Sequence, residues 1–212
     1  MSNNFKYLIF DFDGTLADTE FIHLEAYKRI YRRFDLPKFT QAELVKIKSS
    51  KIKDLITEYK IGPVKLLKIA QALNQETASL ITQANFYPEI KKILLQLKKD
   101  HVLGILSSNQ LSTIESFFNQ QNLPLASLFT FWHCEKEIFA KDRALKALMK
   151  KHKIPRQEVL YFGDQVRDVE ACQRAGVAVA AVTWGFANEE LLAGAQANFL
   201  LNRPNEILDL LS

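Results

Sequence analysis

The chain has 212 residues, 48% of them hydrophobic and 25% charged, with 7 Gly, 6 Pro and 2 Cys; this make-up is that of a globular protein and excludes disorder, a collagen repeat and a disulfide scaffold. At about 100–200 residues per domain, the length is large for one compact domain and small for two, so a core with a modest insertion fits best. The formal charge of +4 is confined to one segment, because residues 17–85 carry 12 Lys and Arg against 8 Asp and Glu while the remainder is balanced. No basic run with interleaved aromatics accompanies the excess, so no nucleic-acid partner is expected and a small anionic ligand or plain solubility accounts for it.

The N-terminus, Met1 to Lys6, has no charged region followed by a long apolar stretch. No window approaches the roughly 18 consecutive apolar residues of a membrane span. Neither export nor a membrane partner is expected. Tyr7-Leu8-Ile9-Phe10 reads as a buried strand stopped at Asp11-Phe12-Asp13-Gly14, where glycine permits a turn. Residues 17–85 then carry helical periodicity, at about 19–34, 41–47, 51–60, 63–72 and 75–84, with no convincing strand. From residue 86 onward, strands and helices alternate. Apolar runs at 101–106, 158–162, 177–182 and 199–201 read as strands. Helical patterns fall at 89–99, 112–121, 143–151, 168–175 (closed by Gly176 as a C-cap) and 204–211. Phe129, Phe131, Trp132, Trp184 and Phe186 are expected to fill the core or line a loop over it. Cys134 and Cys172 match no metal spacing and are expected to be buried free thiols in a reducing compartment, with the cytoplasm as the expected location.

This alternation predicts an α/β fold, a doubly wound, Rossmann-like parallel sheet with helices on both faces and an inserted all-helical cap. Residues 1–16 and 86–212 would form the core and 17–85 the cap. In such sheets ligands bind outside the carboxyl ends of the strands. Those ends carry Asp11 and Asp13, then Ser107 and Ser108, then Asp164 with Asp168, while Lys141 precedes the strand that ends at Asp164. Carboxylates, a hydroxyl and an ammonium converging on one crevice point to a metal and phosphate site. Asp11 and Asp13, two apart on extended chain, face one ligand. Asp11 could attack phosphorus while Asp13 protonates the leaving oxygen and then activates water. Asp164 and Asp168, four apart, would share a helix face near the metal. All-oxygen donors favour Mg2+, and Ser107 and Lys141 would hold phosphoryl oxygens. Thr15 and Asn109 are secondary candidates, as is His23.

Asp11-Phe12-Asp13-Gly14-Thr15-Leu16-Ala17-Asp18-Thr19, a serine ending the next strand, a lysine, and Gly163-Asp164-Gln165-Val166-Arg167-Asp168 resemble the four ordered motifs of the haloacid dehalogenase superfamily. The likeness covers nearly the whole chain. The insertion resembles the subfamily I cap, and Val182-Thr183-Trp184-Gly185-Phe186 followed by Pro204-Asn205-Glu206 resembles phosphoglycolate-phosphatase-like members. The resemblance implies that Asp11 is the nucleophile, Asp13 the acid/base and a Mg2+ ligand through its carbonyl, and Asp164 a Mg2+ ligand. It also implies phosphate binding by Ser107 and Lys141 and an acidic Asp168 that supports the metal directly or through water; Ser108, at the same strand end, is a further phosphate-binding candidate. Two positions depart from the pattern: many relatives carry Lys-Pro-x-Pro where this chain has Lys141-Asp142-Arg143-Ala144, and related phosphatases often carry Asn where it has Ser108.

The expectation is therefore a Mg2+-dependent phosphatase for a small phosphorylated metabolite (phosphoglycolate-like, sugar phosphate or nucleotide), monomeric or homodimeric, working through an aspartyl phosphate. A phosphomutase of the beta-phosphoglucomutase type and a non-catalytic binding protein on the same fold are the rivals. The cap cations Arg29, Arg32, Arg33, Lys48, Lys51 and Lys53 are expected mainly as a solvated face, with one of them available to a substrate anion.

Overall fold

A computed structural model of the chain describes residues 5–38, 40–48, 50–134 and 140–212. Its elements, in chain order, begin with β1 (Tyr7–Phe10), β2 (Ala17–Asp18), α1 (Glu20–Ile30), α2 (Gln41–Lys48), α3 (Ile52–Glu58), α4 (Pro63–Leu80) and β3 (Asn85–Phe86). There follow α5 (Ile90–Leu97), β4 (Val102–Ser107), α6 (Leu111–Gln120), α7 (Leu125–Leu128), β5 (Phe131–Cys134) and α8 (Lys141–His152). The chain ends with β6 (Val159–Gly163), α9 (Val166–Ala175), β7 (Ala178–Val182), α10 (Glu189–Ala193), β8 (Phe199–Leu201) and α11 (Glu206–Leu211).

Six strands form one parallel sheet in the order β5-β4-β1-β6-β7-β8. β1 lies in the middle, and the chain builds outward on one side of it before crossing to the other, which is the doubly wound arrangement. Period-two alternation sends successive side chains to opposite layers. Leu8, Phe10, Ile105, Phe162 and Val182 pack with Ile93 and Phe117 on one face. Ile9, Leu106, Tyr161 and Val179 pack with Leu145, Leu148 and Cys172 on the other. Burial on both faces explains why these strands read as continuous apolar runs. Phe10 and Phe162 stack at 4.6 Å between ring centroids, fixing β1 against β6 just before both strands end at aspartates.

The stretch between β1 and β4 is helical apart from its two ends. There Ala17 pairs with Phe86 and Asp18 with Asn85 in a two-stranded antiparallel ribbon, strands too short to be read from a pattern. Ile22, Ala26 and Ile30 recur every four residues and form the buried stripe of α1, which packs along α4. The two patterns at 63–72 and 75–84 merge into the single helix α4 followed by a 3-10 turn at Ile81–Gln83. A small cluster of Ile30, Ile69 and Ala72 holds these helices together, while Ile22, Leu80 and Ile81 join the main core. β5 is an edge strand absent from the sequence expectation. Cys172 is buried as expected, but Cys134 is only half-buried because it ends that edge strand, and both thiols are free. No helix among the described residues is long and apolar enough to cross a membrane.

Candidate active site

The switch point of the sheet lies between β1 and β6, and Asp11 and Asp164 follow those two strands directly. The Asp11 N–H donates to the Phe162 carbonyl at 2.8 Å, extending the ladder by one residue and holding the carboxylate over the sheet end. Gly14, at φ +72°, turns the chain back on itself. A Cβ there would lie 2.2 Å from Asp164 Oδ2, so the glycine is needed both for the turn and for the approach of Asp164. Gly185 meets the same carboxylate from the other side, where a Cβ would come within 2.4 Å of the Asp164 Cβ. The Asp164 carboxylate is then fixed by the Phe186 N–H at 2.8 Å and the Thr15 hydroxyl at 3.4 Å.

Lys141 opens α8, and its buried ammonium donates to Asp11 Oδ2 at 2.6 Å and to Asp168 Oδ1. Asp168, in the first turn of α9, accepts the Gln165 N–H at 3.1 Å through its other oxygen. It thus completes the capping box of α9, whose N-cap is Gln165, and anchors the lysine. α8 packs on α9, with an Arg174–Asp142 ion pair at 3.7 Å between them.

Asp11, Asp164 and Asp168 are buried, and each offers a carboxylate oxygen within 4.8 Å of the others. Burial, opposed by Lys141 and reinforced by Asp168, pushes the Asp11 carboxyl up to about 6. Burial and the charges of Asp168 and Asp11 raise Asp164 well above the carboxylate range, against the Phe186 N–H and Lys141. Three clustered carboxylates, two of them touching the single Lys141 ammonium, leave an excess of negative charge that a divalent cation would relieve. Hard oxygen donors of this kind fit Mg2+. The residues present therefore suit the metal expected from the sequence.

Asp13 stands apart from that cluster. Its Oδ1 lies 3.3 Å from His23 Nε2 on α1, and Oδ2 accepts from the Asn109 amide at 3.1 Å. Burial opposes ionisation of Asp13, but the His23 hydrogen bond and charge, together with Asn109, outweigh it and hold the carboxyl below its ordinary range. Ser107, at the end of β4, is buried and accepts the Asn109 N–H at 3.0 Å. Ser108 lines a cavity of about 720 Å3 that runs from Asp13, Asn109 and Lys141 into the helical segment. Phe186 borders this cavity too, its ring edge-on to His23 at 5.3 Å, and the neighbouring Trp184 donates from Nε1 to the Thr15 carbonyl at 3.1 Å.

Arg167 also lines the cavity, and its buried Nε has no hydrogen-bond partner among the described residues. Sequence reasoning passed over it; its place inside the Gly163–Asp168 motif was the available signal. Among the cap cations, Lys48, Lys51 and Lys53 border the cavity. Arg29 is occupied with Glu76 at 3.1 Å, and Arg32 and Arg33 lie over the rings of Tyr31 and Phe34.

A doubly wound sheet with three carboxylates and a lysine at its switch point defines an α/β protein with a buried acidic centre outside its strand ends. Residues 8–182 match the haloacid dehalogenase-like hydrolase family, and the chain belongs to it. It is 29% identical to the phosphoglycolate phosphatase of Synechococcus elongatus, over 95% of this chain and 94% of that protein. To the pyrophosphatase PpaX of Bacillus thuringiensis it is 26% identical, over 97% and 95% respectively. A haloacid dehalogenase-like hydrolase from Streptococcus pneumoniae superposes with a TM-score of 0.80 at 19% identity, covering 98% of each chain.

Proposed function

We propose that this chain is a Mg2+-dependent phosphatase acting on a small phosphorylated metabolite through an aspartyl phosphate on Asp11. The observation that carries the reading is the buried Asp11 carboxylate, held by Lys141 at 2.6 Å within 4.8 Å of two further carboxylate donors. In the first half-reaction an Asp11 oxygen forms a bond to phosphorus as the ester oxygen leaves. Asp13 delivers a proton to that oxygen, with His23 a donor within reach at 3.3 Å. In the second half, Asp13 takes a proton from water, whose oxygen attacks phosphorus and releases phosphate and the Asp11 carboxylate. Lys141, Ser107 and Ser108 hold phosphoryl oxygens and offset their charge. Asp11, the Asp13 carbonyl, Asp164 and Asp168, directly or through water, would hold Mg2+, which when bound neutralises charge between the carboxylates and the phosphoryl group.

Residues 1–16 and 86–212 would be the catalytic core and 17–85 the cap that selects the substrate. The names of the two curated relatives support phosphate chemistry. Asp11→Asn is expected to abolish hydrolysis of p-nitrophenyl phosphate while the far-ultraviolet circular dichroism stays native; unchanged turnover would sink the mechanism.

A further inference from the structure

The cavity beside Asp13 has two unlike ends. At the sheet it is polar, with Ser108, Asn109, Lys141 and Arg167. Its other end enters the helical segment between α1, α3 and α4, where the walls are Leu24, Leu36, Ile56, Leu66, Ile69 and Leu73. The tyrosines there do not make it polar. Tyr27 donates its hydroxyl to the Pro37 carbonyl at 2.7 Å, and Tyr59 donates to Glu43, so both leave ring surface toward the space. Three of the cations at its border are paired, with Lys48 2.7 Å from Glu20, Lys51 3.5 Å from Glu170 and Arg174 3.7 Å from Asp142, while Arg167, whose Nε has no hydrogen-bond partner among the described residues, stands at the polar end.

Ligand clefts run to about 300–1,000 Å3 and combine mostly apolar walls with a few convergent polar groups, which is the make-up of this one. A volume of about 720 Å3 far exceeds what a phosphoryl group with a two-carbon acid would fill. An acid group placed among these apolar walls would also lose its water, because Lys141 and Arg167 stand at the polar end of the cavity. Resting on the phosphatase reading above, we infer that the preferred substrate is a phosphate monoester of an apolar alcohol, its phosphoryl group at Lys141 and its alkyl or aryl body in the chamber between α1, α3 and α4.

The test is a series of n-alkyl phosphates from ethyl to hexyl, with phosphoglycolate alongside, each reported as kcat/KM with Mg2+. Transfer of methylenes into an apolar chamber is expected to raise kcat/KM about fourfold per carbon, on the order of a hundredfold across the series. Phosphoglycolate should then fall below hexyl phosphate. Ala70→Trp, which fills the chamber from α4, is expected to collapse the hexyl-to-ethyl ratio by at least about tenfold; as a ratio within one preparation, it does not depend on how much of the variant folds. A flat series, an unchanged ratio in the variant, or a preference for phosphoglycolate overturns this inference and leaves the phosphatase reading standing. Absence of turnover on every ester overturns both.

Discussion

Gly14→Ala tests the turn that brings Asp164 to the site. The backbone there has φ +72°, and the new methyl would start 2.2 Å from Asp164 Oδ2 and 2.7 Å from the Phe186 ring. A non-glycine residue in the left-handed region costs about 1–2 kcal/mol. Relief of the clash must push the Asp164 carboxylate off the Phe186 N–H, now at 2.8 Å. Leaving a buried partner unsatisfied costs about 1–3 kcal/mol more. Together these give a loss of about 2–5 kcal/mol, which for a chain of this size lowers Tm by about 4–20 °C. Thermal unfolding followed by circular dichroism measures it, with p-nitrophenyl phosphate turnover read on the same sample and expected to fall at least about tenfold. Gly62→Ala is the control. Gly62 precedes α4 at φ −69°, and a methyl there meets nothing within 4 Å, so its effect should stay within about 1 kcal/mol. A Gly14→Ala protein that melts within about 2 °C of the parent and keeps its turnover would refute the account of this turn.

Two further outcomes bear on the same centre. Lys141→Met should lower kcat on p-nitrophenyl phosphate about 10²–10³-fold, the usual effect of removing one stabilising donor, and an effect below threefold would remove the lysine from the phosphoryl site. Mg2+ at about a hundred times its dissociation constant should add about 2.7 kcal/mol of stability, seen as a Tm rise of about 5–10 °C that EDTA reverses; an equal rise in Asp164→Asn would place the ion elsewhere.

Much of this arrangement is written locally in the chain. β1, β4, β6 and β7 are apolar runs buried on both faces, and each announces itself without a partner. Asp11, Asp164 and Lys141 follow from strand ends and motif order. β5 is different, because Phe131-Trp132-His133-Cys134 carries a mixed pattern at a sheet edge and becomes a strand only through pairing with β4. α4 runs unbroken across the gap between the patterns at 63–72 and 75–84, because packing against α1 carries the helix through it. His23 could not be assigned from α1 alone, since its ring meets Asp13 only because of how that helix sits over the β1 turn. The apolar chamber was likewise beyond reach, being a property of three helices placed around a space.

The ribbon of Ala17–Asp18 with Asn85–Phe86 has a consequence for what the molecule tolerates. Because the two passages are paired side by side, the sheet experiences the whole excursion between them as one closed loop. The entropy of closing a loop grows only with the logarithm of its length, so doubling the excursion would cost about 0.6 kcal/mol. The strands are therefore nearly indifferent to how long the excursion is, and insertions between the paired ends can accumulate at little cost to the fold wherever they spare Ile22, His23, Leu80 and Ile81, which reach the core and Asp13.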